Sequence, residues 1–336
     1  MTTFTSTQDG NWNDDATWGL TSGDYPGNGH TDGSDRAIIA HTVTNNGNHH
    51  IGSVTINASK VLNGGGGNIL YMYGDGEAIV FENNGSVTAT PRLEFRGTAS
   101  KNVKFGTGTF GIVDVNFGSA ATLTMTSALT SSNNIPIAAN CILDTSGSNY
   151  AITTTGDVTV TGTLTGNASA ISMGSLTIAS GGTYNATSGT TTLTDQHTGT
   201  YYLLDNNGTF THNNGTVTIT DAGRLSLNTG TTATHTLNNL IINLSSSGMG
   251  LYGALTIEGD FTITSGGFSP QGQGGVHGTH VLGNTSVASA GVLGDGSDGS
   301  MTFHGLVTNL GELKLLQGQT YKFNGGLRQL GTFTTP

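Results

Sequence analysis

The residues of this chain that could do chemistry are a few carboxylates, some of them placed beside arginine. Glycoside hydrolysis needs two carboxylates facing one cleft, and lyase chemistry needs a base beside a cation or metal. The candidates are Glu94 with Arg92 and Arg96, then Asp114, Glu258 with Asp260, and Glu312. A strand would place Arg92, Glu94 and Arg96 on one face, where they could grip an acidic sugar. We favour an exposed, charge-paired strand face.

Two acidic, glycine-rich segments are candidate cation sites. Asp295 and Asp298 stand three positions apart within residues 294–299, a spacing that Asp32 and Asp35 repeat. Carboxylates among glycines suit a hard cation such as calcium, but both segments lack the bidentate glutamate of an EF-hand. We therefore predict turns at both places and no metal site, with Asp295 and Asp298 as the residues to check for one.

The remaining reactive side chains give little sign of a catalytic centre. His277 and His280 stand three positions apart without a nearby cysteine or carboxylate, which is a poor metal-ligand set. The single cysteine, Cys141, has no basic neighbour in the sequence to form a thiolate, which favours a small buried residue. Neither a Gly-x-Ser-x-Gly elbow nor a Cys-x-x-Cys pair occurs. We expect neither catalysis nor a cofactor.

Composition argues against several classes of protein. The chain has ten Lys and Arg against 21 Asp and Glu, for a net charge of -11, and nucleic-acid binding needs clustered basic residues. The longest apolar runs are far shorter than the roughly 20 residues that span a membrane. Residues 1–10 lack the basic and apolar regions of a secretory signal. We expect no nucleic acid, no membrane insertion, and synthesis in a cytoplasm until release.

The elements that must position these residues are short strands separated by turns. Segments such as 156–162, 174–182, 215–221 and 253–260 alternate apolar with hydroxyl-bearing residues, and this period of two indicates half-buried strands. Near-identical repetition favours a stacked solenoid over an antiparallel sandwich. We predict an all-β, right-handed parallel β-helix of single chain, almost without helix, with coils of roughly 20 to 30 residues.

Glycine and asparagine mark the turns of this predicted solenoid. Glycine accounts for 54 of 336 residues without the three-residue period of collagen, so we interpret the glycines as turn residues. Asn238 and Asn239 stand just before a strand. They either form a hydrogen-bonded ladder between successive coils or occupy turns with a left-handed backbone, and we favour the turns.

The first 36 residues differ from the rest of the chain. They contain both tryptophans, Trp12 and Trp18. An open solenoid end exposes unpaired strand edges and apolar core, which two indoles could cover. We predict an N-terminal cap over residues 1–36 and a β-solenoid over residues 37–336.

One segment of the chain resembles a known group of proteins. The sequence Gly-Asn-Trp-Asn-Asp-Asp-Ala-Thr-Trp-Gly at 10–19, then Tyr-Pro-Gly at 25–27 and a strand at 37–43, resembles the start of repetitive β-helical surface and virion proteins of tailed phages and bacterial adhesins. It is loosely similar to the G8-type cap of extracellular proteins. The resemblance covers roughly the first 56 residues. It implies a virion or cell-surface structural protein with a β-helix behind the cap.

This resemblance leads to a specific expectation of function. The missing secretion signal favours a phage protein, assembled in the host cytoplasm and freed by lysis, that serves as a head-decoration fibre or a tail fibre or spike. We expect other virion proteins and a cell-surface glycan as partners, and a homotrimer from fibre symmetry. The alternatives are a secreted adhesin, a polysaccharide-degrading tail spike and, from the threonine rows at 153–155 and 159–161, an ice-binding protein.

Overall fold

A computed structural model describes most of the chain as parallel β-structure. The described residues are 2–29, 33–74, 76–195, 202–221, 224–227, 234–270, 278–294, 299–315 and 319–335. They form two compact units, Met1–Asn167 and Ala168–Pro336. Within the described residues the only helical segment is one 3-10 turn, Asp15–Trp18.

The described residues of unit 1 form twenty short strands, most of three to five residues. They are β1 (Thr3–Thr5), β2 (Gly10–Asn11), β3 (Arg36–Ile39), β4 (Val43–Thr44), β5 (His49–Ile51), β6 (Ser53–Ile56), β7 (Val61–Asn63), β8 (Ile69–Met72), β9 (Ile79–Asn83), β10 (Ser86–Thr88), β11 (Arg92–Phe95), β12 (Lys101–Lys104), β13 (Val113–Val115), β14 (Ala121–Met125), β15 (Leu129–Ser131), β16 (Ile135–Ile137), β17 (Cys141–Asp144), β18 (Ile152–Thr154), β19 (Val158–Val160) and β20 (Thr163–Thr165).

The strands of unit 1 pair in parallel, each with the strand that lies one coil later. One sheet runs β1-β3-β6-β9-β12-β14-β17-β20, a second runs β2-β4-β7-β10, and a third runs β5-β8-β11-β13-β16-β19. Equivalent residues therefore stack, as Leu123 on Leu143 and Leu143 on Leu164. Inward-facing Leu, Val, Ile and Phe side chains are excluded from water, and their burial stabilises the stack.

Unit 2 repeats this arrangement with some longer strands. Its strands are β21 (Ile171–Met173), β22 (Leu176–Ile178), β23 (Thr183–Asn185), β24 (Thr190–Leu193), β25 (Tyr202–Asn206), β26 (Thr209–Thr211), β27 (Thr216–Ile219), β28 (Arg224–Leu227), β29 (Thr234–Leu237), β30 (Asn239–Tyr252), β31 (Ala254–Ile257), β32 (Phe261–Ser269), β33 (Gly278–Val281), β34 (Thr285–Leu293), β35 (Gly299–Phe303), β36 (Val307–Asn309), β37 (Glu312–Lys314), β38 (Gln319–Phe323), β39 (Leu327–Gln329) and β40 (Thr332–Thr334).

The pairings of unit 2 are again parallel and run from coil to coil. One sheet runs β29-β31-β33-β35-β38, and β30, β32 and β34 pair along their length with register shifts. The all-β parallel solenoid predicted from the alternating pattern is confirmed in each unit, while its right-handed sense stays a prediction. The strands predicted from segments 156–162 and 253–260 are β19 and β31.

Several glycines of unit 2 are required by the close approach of neighbouring coils. A Cβ at Gly283, Gly305 or Gly325 would clash with the carbonyl oxygen of Gly259, Gly283 or Gly305 respectively. Any side chain there would force successive coils apart. These positions lie at bends, as the sequence predicts, but the constraint on them comes from the next coil and not only from the turn.

The two tryptophans near the N-terminus are buried against the first coils. Trp12 and Trp18 contact each other edge to face at 5.3 Å, and Trp12 stacks on His49 at 5.2 Å. The indole N–H of Trp18 donates to the Trp12 carbonyl oxygen at 2.7 Å, and that of Trp12 donates to the Pro26 carbonyl oxygen at 2.9 Å. Every polar atom of the two indoles is thus satisfied.

The first 36 residues also contribute strands of their own to the stack. β1 pairs in parallel with β3, and β2 pairs with β4. The 3-10 turn that follows β2 begins where the Asp14 side chain accepts the Ala16 N–H and ends at Gly19, which has a φ of 70°. The division of the chain at residue 36, and the role of Trp12 and Trp18 as a cap, stay predictions.

Candidate functional site

One sheet of unit 1 presents a row of ionisable and aromatic side chains on its outer surface. Parallel register aligns His50 with Tyr71, Tyr71 with Glu94, and Glu94 with Asp114. The residues on either side of each are buried, because successive side chains of a strand point to opposite faces. We call this surface the β5–β13 face, and its members are His50, Tyr71, Tyr73, Arg92, Glu94, Arg96, Asp114 and Asn116.

Arg96 is held in place by three contacts on the β5–β13 face. Its Nε donates to Glu94 Oε1 at 2.6 Å, its Nη1 donates to the Tyr73 hydroxyl at 3.4 Å, and its guanidinium lies 4.1 Å from the centre of the Tyr71 ring. Such a charge-assisted hydrogen bond with a cation–π contact fixes the plane of the guanidinium. Asn116 Nδ2 also donates to Glu94 Oε1, at 3.3 Å.

His50 completes the aromatic part of the β5–β13 face. Its ring stacks on Tyr71 at 4.6 Å and on Tyr73 at 5.7 Å, and its Nδ1 lies 2.8 Å from the Tyr73 hydroxyl. Burial and then the positive charge of Arg96 lower the pKa of His50, against the opposing effect of Glu94. The imidazole is therefore neutral near pH 7 and acts as a stacking and hydrogen-bonding group.

Asp114 lies beside Glu94 and has an unusual protonation behaviour. Burial, and secondly the negative charge of Glu94, raise the pKa of Asp114 to about 6, although Arg92 and Arg96 oppose the shift. The neighbouring carboxyl groups of Glu94 and Asp114 therefore lie in different electrostatic environments, because Glu94 forms an ion pair with Arg96. A carboxyl group that exchanges a proton near neutral pH is suited to acid–base work or to a pH-dependent binding site.

An open groove of about 450 Å³ adjoins the β5–β13 face. Its lining residues are Tyr73, Arg96, Gly97, Thr98, Asn116 and Gly118. Arg96 is the only charged residue among these six. A Cβ at Gly97, where φ is 96°, would clash with the Tyr73 carbonyl oxygen, so glycine there allows the coils to approach. The groove offers hydroxyl, amide and guanidinium hydrogen-bond donors within one small volume.

The structure brings some of the predicted chemical residues together and separates others. Arg92, Glu94, Arg96 and Asp114 share the β5–β13 face. Glu258 lies 3.2 Å from His212, and Asp260 accepts the backbone N–H of Asn284 at 2.9 Å. Glu312 pairs with Lys314 at 3.6 Å and accepts the Thr334 hydroxyl at 2.8 Å.

The remaining candidates are buried or lie outside the described residues. Cys141 is buried, and burial raises the pKa of its thiol, as the buried interpretation predicts. Asp295, Asp298, Asp32 and His277 lie outside the described residues. Among the residues that the structure does describe, no group of three or more His, Cys, Asp or Glu could hold a metal ion.

Sequence reasoning missed His50, Tyr71, Tyr73 and Asn116 as members of the site. Tyr71, Tyr73 and Asn116 stand about one coil away from Glu94 and Arg96, with separations of 23 and 22 positions in the hydrogen-bonded pairs. His50 lies one coil further on, as the register partner of Tyr71. The aromatic segment 69–73 was the available signal, but it points to a site only once the coil length is known.

No protein-family model, curated protein sequence or solved structure matches this chain. Within the described parts of the chain, none of the helical structure has the length and apolar character that crossing a membrane requires.

Proposed function

We propose that this protein is a structural and attachment protein of a tailed-phage particle, as a head-decoration fibre or a tail fibre or spike, and that it binds a cell-surface glycan. The observation that carries the proposal is the β5–β13 face with its groove, mounted on stacked parallel coils. Such coils hold side chains at fixed spacing without a lid or hinge. Its partners are other virion proteins, and it acts as a homotrimer released with the virion on lysis.

The groove has the size and the donors that a sugar needs. Small-molecule sites usually enclose roughly 300–1,000 Å³, and this groove of about 450 Å³ falls within that range. Tyr73, Thr98 and Asn116 place hydroxyl and amide groups around it, which are the partners that sugar hydroxyls use. A single shallow site binds weakly, so several copies on one particle would supply the avidity. Binding, not turnover, is the proposed activity.

The test is direct binding of glycans to the full chain. We expect a host-surface polysaccharide or its oligosaccharides to bind, and Asn116→Ala to weaken binding by about tenfold, because one polar contact contributes about 1–1.5 kcal/mol. Thr153→Ala is the matched control, since Thr153 is exposed on strand β18 of the same unit. The proposal fails if no surface glycan binds, or if both variants weaken binding equally.

Polysaccharide cleavage is a second candidate for the same face. It is favoured by Glu94 and Asp114, which are register partners on neighbouring strands. Such strands lie about 4.8 Å apart, close to the carboxyl separation of about 5–5.5 Å in retaining glycosidases. Glu94 accepts its described hydrogen bonds through Oε1, and its side chain is buried beneath Arg96, so cleavage would require Arg96 to move aside.

Cleavage would be detected as new reducing ends after incubation with a polysaccharide that binds. Asp114→Asn should abolish those ends while binding persists, because an amide cannot supply a proton. Intact polymer after prolonged incubation with the unmodified protein would exclude cleavage and leave the attachment function in place. The adhesin alternative differs in gene context, since phage capsid and tail genes would not flank it.

A further inference from the structure

We infer that the groove beside Arg96 takes an anionic sugar residue, whose carboxylate or sulfate group is bound by the Arg96 guanidinium. The inference rests on the proposed glycan-binding function and adds the chemical class of the ligand. It depends on three observations: the fixed position of Arg96, the distribution of charge around it, and the open floor of the groove.

The guanidinium of Arg96 is pre-organised to bind an anion. Nε and Nη1 are occupied by Glu94 and Tyr73, and the Tyr71 ring lies against the guanidinium face. Arginine has five N–H donors, so donors remain for a ligand, and the side chain is 35% exposed at the groove. A guanidinium whose plane is already fixed loses little entropy when it binds a carboxylate or sulfate.

The charged side chain that lines the groove is positive, whereas the net charge of the whole chain is negative. The net charge is -11, yet Arg96 is the one charged residue among the six that line the groove. Its counter-ion Glu94 has a side chain only 7% exposed, and above about pH 6 the charge of Arg92 is offset by that of Asp114. An anion in the groove would therefore meet the exposed guanidinium of Arg96, which favours binding at this place over non-specific binding to a chain of net negative charge.

The floor of the groove leaves room for a sugar ring. Gly118 has only the Gly97 carbonyl oxygen, at 3.5 Å, within 4 Å of the position that a Cβ would take. Side chains longer than alanine at Gly118 would therefore extend into the open volume without displacing Arg96. Thr98, Asn116 and the Tyr73 hydroxyl surround the same space, where they can contact the neutral hydroxyls of the ring.

The experiment measures affinity for three probes of equal length: an oligouronate, a sulfated oligosaccharide and a neutral oligosaccharide. Titration calorimetry on the full chain should show at least one anionic probe binding about tenfold or more tightly than the neutral probe, with that preference shrinking as salt rises. The two anionic probes distinguish a carboxylate ligand from a sulfate ligand.

Three variants locate the interaction. Arg96→Gln should remove the anionic preference, so that the anionic probes bind no more tightly than the neutral probe. Arg328→Gln, at an exposed arginine in unit 2, should leave both the preference and the affinities unchanged. Gly118→Val should weaken all three probes, because it fills the groove. Since Gly118→Val leaves the Arg96 contacts in place, it tests the site even if Arg96→Gln unfolds.

Two outcomes would overturn the inference in distinguishable ways. Equal affinity for anionic and neutral probes would exclude the anionic ligand while leaving glycan attachment intact. An anionic preference that survives both Arg96→Gln and Gly118→Val would place the site elsewhere on the chain. Failure of every probe and of host polysaccharide would instead remove the proposed function itself.

Discussion

Asp114, on the β5–β13 face, has a raised pKa that suits it to proton exchange near neutral pH but lowers the stability of the fold. Its folded pKa is about 6, against an ordinary value of 3.8 in the unfolded chain. Between pH 3.8 and about pH 6 the folded protein holds the Asp114 proton more often than the unfolded chain does. The free energy of unfolding therefore falls as the pH rises through this range, and the decrease is complete above about pH 6. Because Asp114 lowers the stability of the protein at neutral pH, a functional role explains its presence better than packing does.

Asp114→Asn should therefore stabilise the protein near neutral pH. We expect a higher melting temperature than that of the unmodified protein at about pH 8, and no difference at about pH 3.5, where both forms are uncharged at this position. Asp9→Asn is the control, because Asp9 is exposed and its Oδ1 contact with the Thr42 N–H survives the change. Equal stabilisation at both pH values would show that the carboxylate charge is not the cause.

His49 has the opposite linkage to pH. Burial, and secondly the charge of His50, lower the pKa of His49 from 6.5 to about 4. The unfolded chain therefore takes up a proton before the folded one, and stability is lost as the pH falls from about 6.5 to about 4. Tryptophan emission, to which Trp12 stacked on His49 contributes, should shift to longer wavelength as this stability is lost.

His49→Phe separates the titration of His49 from its packing role. The ring remains to stack on Trp12, but no proton can bind, so the acid transition in tryptophan emission should move to lower pH. His280→Phe in unit 2 should leave the transition unchanged. If both variants retain the original midpoint, groups other than His49 control the acid transition.

At the scale of elements, the turns of unit 2 are joined by a ladder of side-chain oxygens. Asn239 Oδ1 accepts the Asp260 N–H at 2.8 Å, Asp260 Oδ1 accepts the Asn284 N–H at 2.9 Å, and Asn284 Oδ1 accepts the Leu306 N–H at 3.1 Å. The sequence suggested such a ladder as the less favoured interpretation of Asn239. Its bonds run to the main chain of the next coil, so each side chain fixes the register of a turn.

Asn284→Ala should weaken the contact between successive coils of unit 2. The loss of one hydrogen bond predicts destabilisation of about 1 kcal/mol, read as a lower urea midpoint. Asn284→Asp keeps the accepting Oδ1 and should stay closer to the unmodified protein, apart from repulsion by the neighbouring Asp260. If alanine and aspartate lower the midpoint by the same amount, the ladder does not contribute to stability.

Strands and their inward faces could be predicted from the sequence, whereas the site could not. Alternation of apolar and hydroxyl residues is a local signal, so β19 and β31 were predictable. The pairing of Tyr71 with Glu94 is not a local signal. It depends on the number of residues in the turns between their strands, and this number varies between coils. The chemistry of Arg96 was visible in the sequence, but its contacts with Tyr71 and Tyr73 required the register.

At the scale of the whole molecule, the exposed apolar side chains have an uneven distribution along the sequence. Among the described residues, the large hydrophobic side chains that are most exposed all belong to the last coils of unit 2: Leu282, Leu306, Leu310, Leu327, Leu330 and Phe333. Exposed apolar groups of this kind usually mark an interface. These side chains are therefore the positions at which the predicted homotrimer can be tested.

Leu310 and Leu330 are the pair that best tests self-association. They follow Asn309 and Gln329, which are register partners on neighbouring coils, and they are 50% and 57% exposed. Replacing both with lysine would bring like charges into any interface between copies, so sedimentation velocity should show a shift from trimer to monomer. The matched control is Thr130→Lys with Thr153→Lys, two exposed register partners in unit 1, which should leave the mass unchanged. A monomeric unmodified protein at all concentrations, or a trimer that tolerates the leucine replacements, would rule out assembly through this surface.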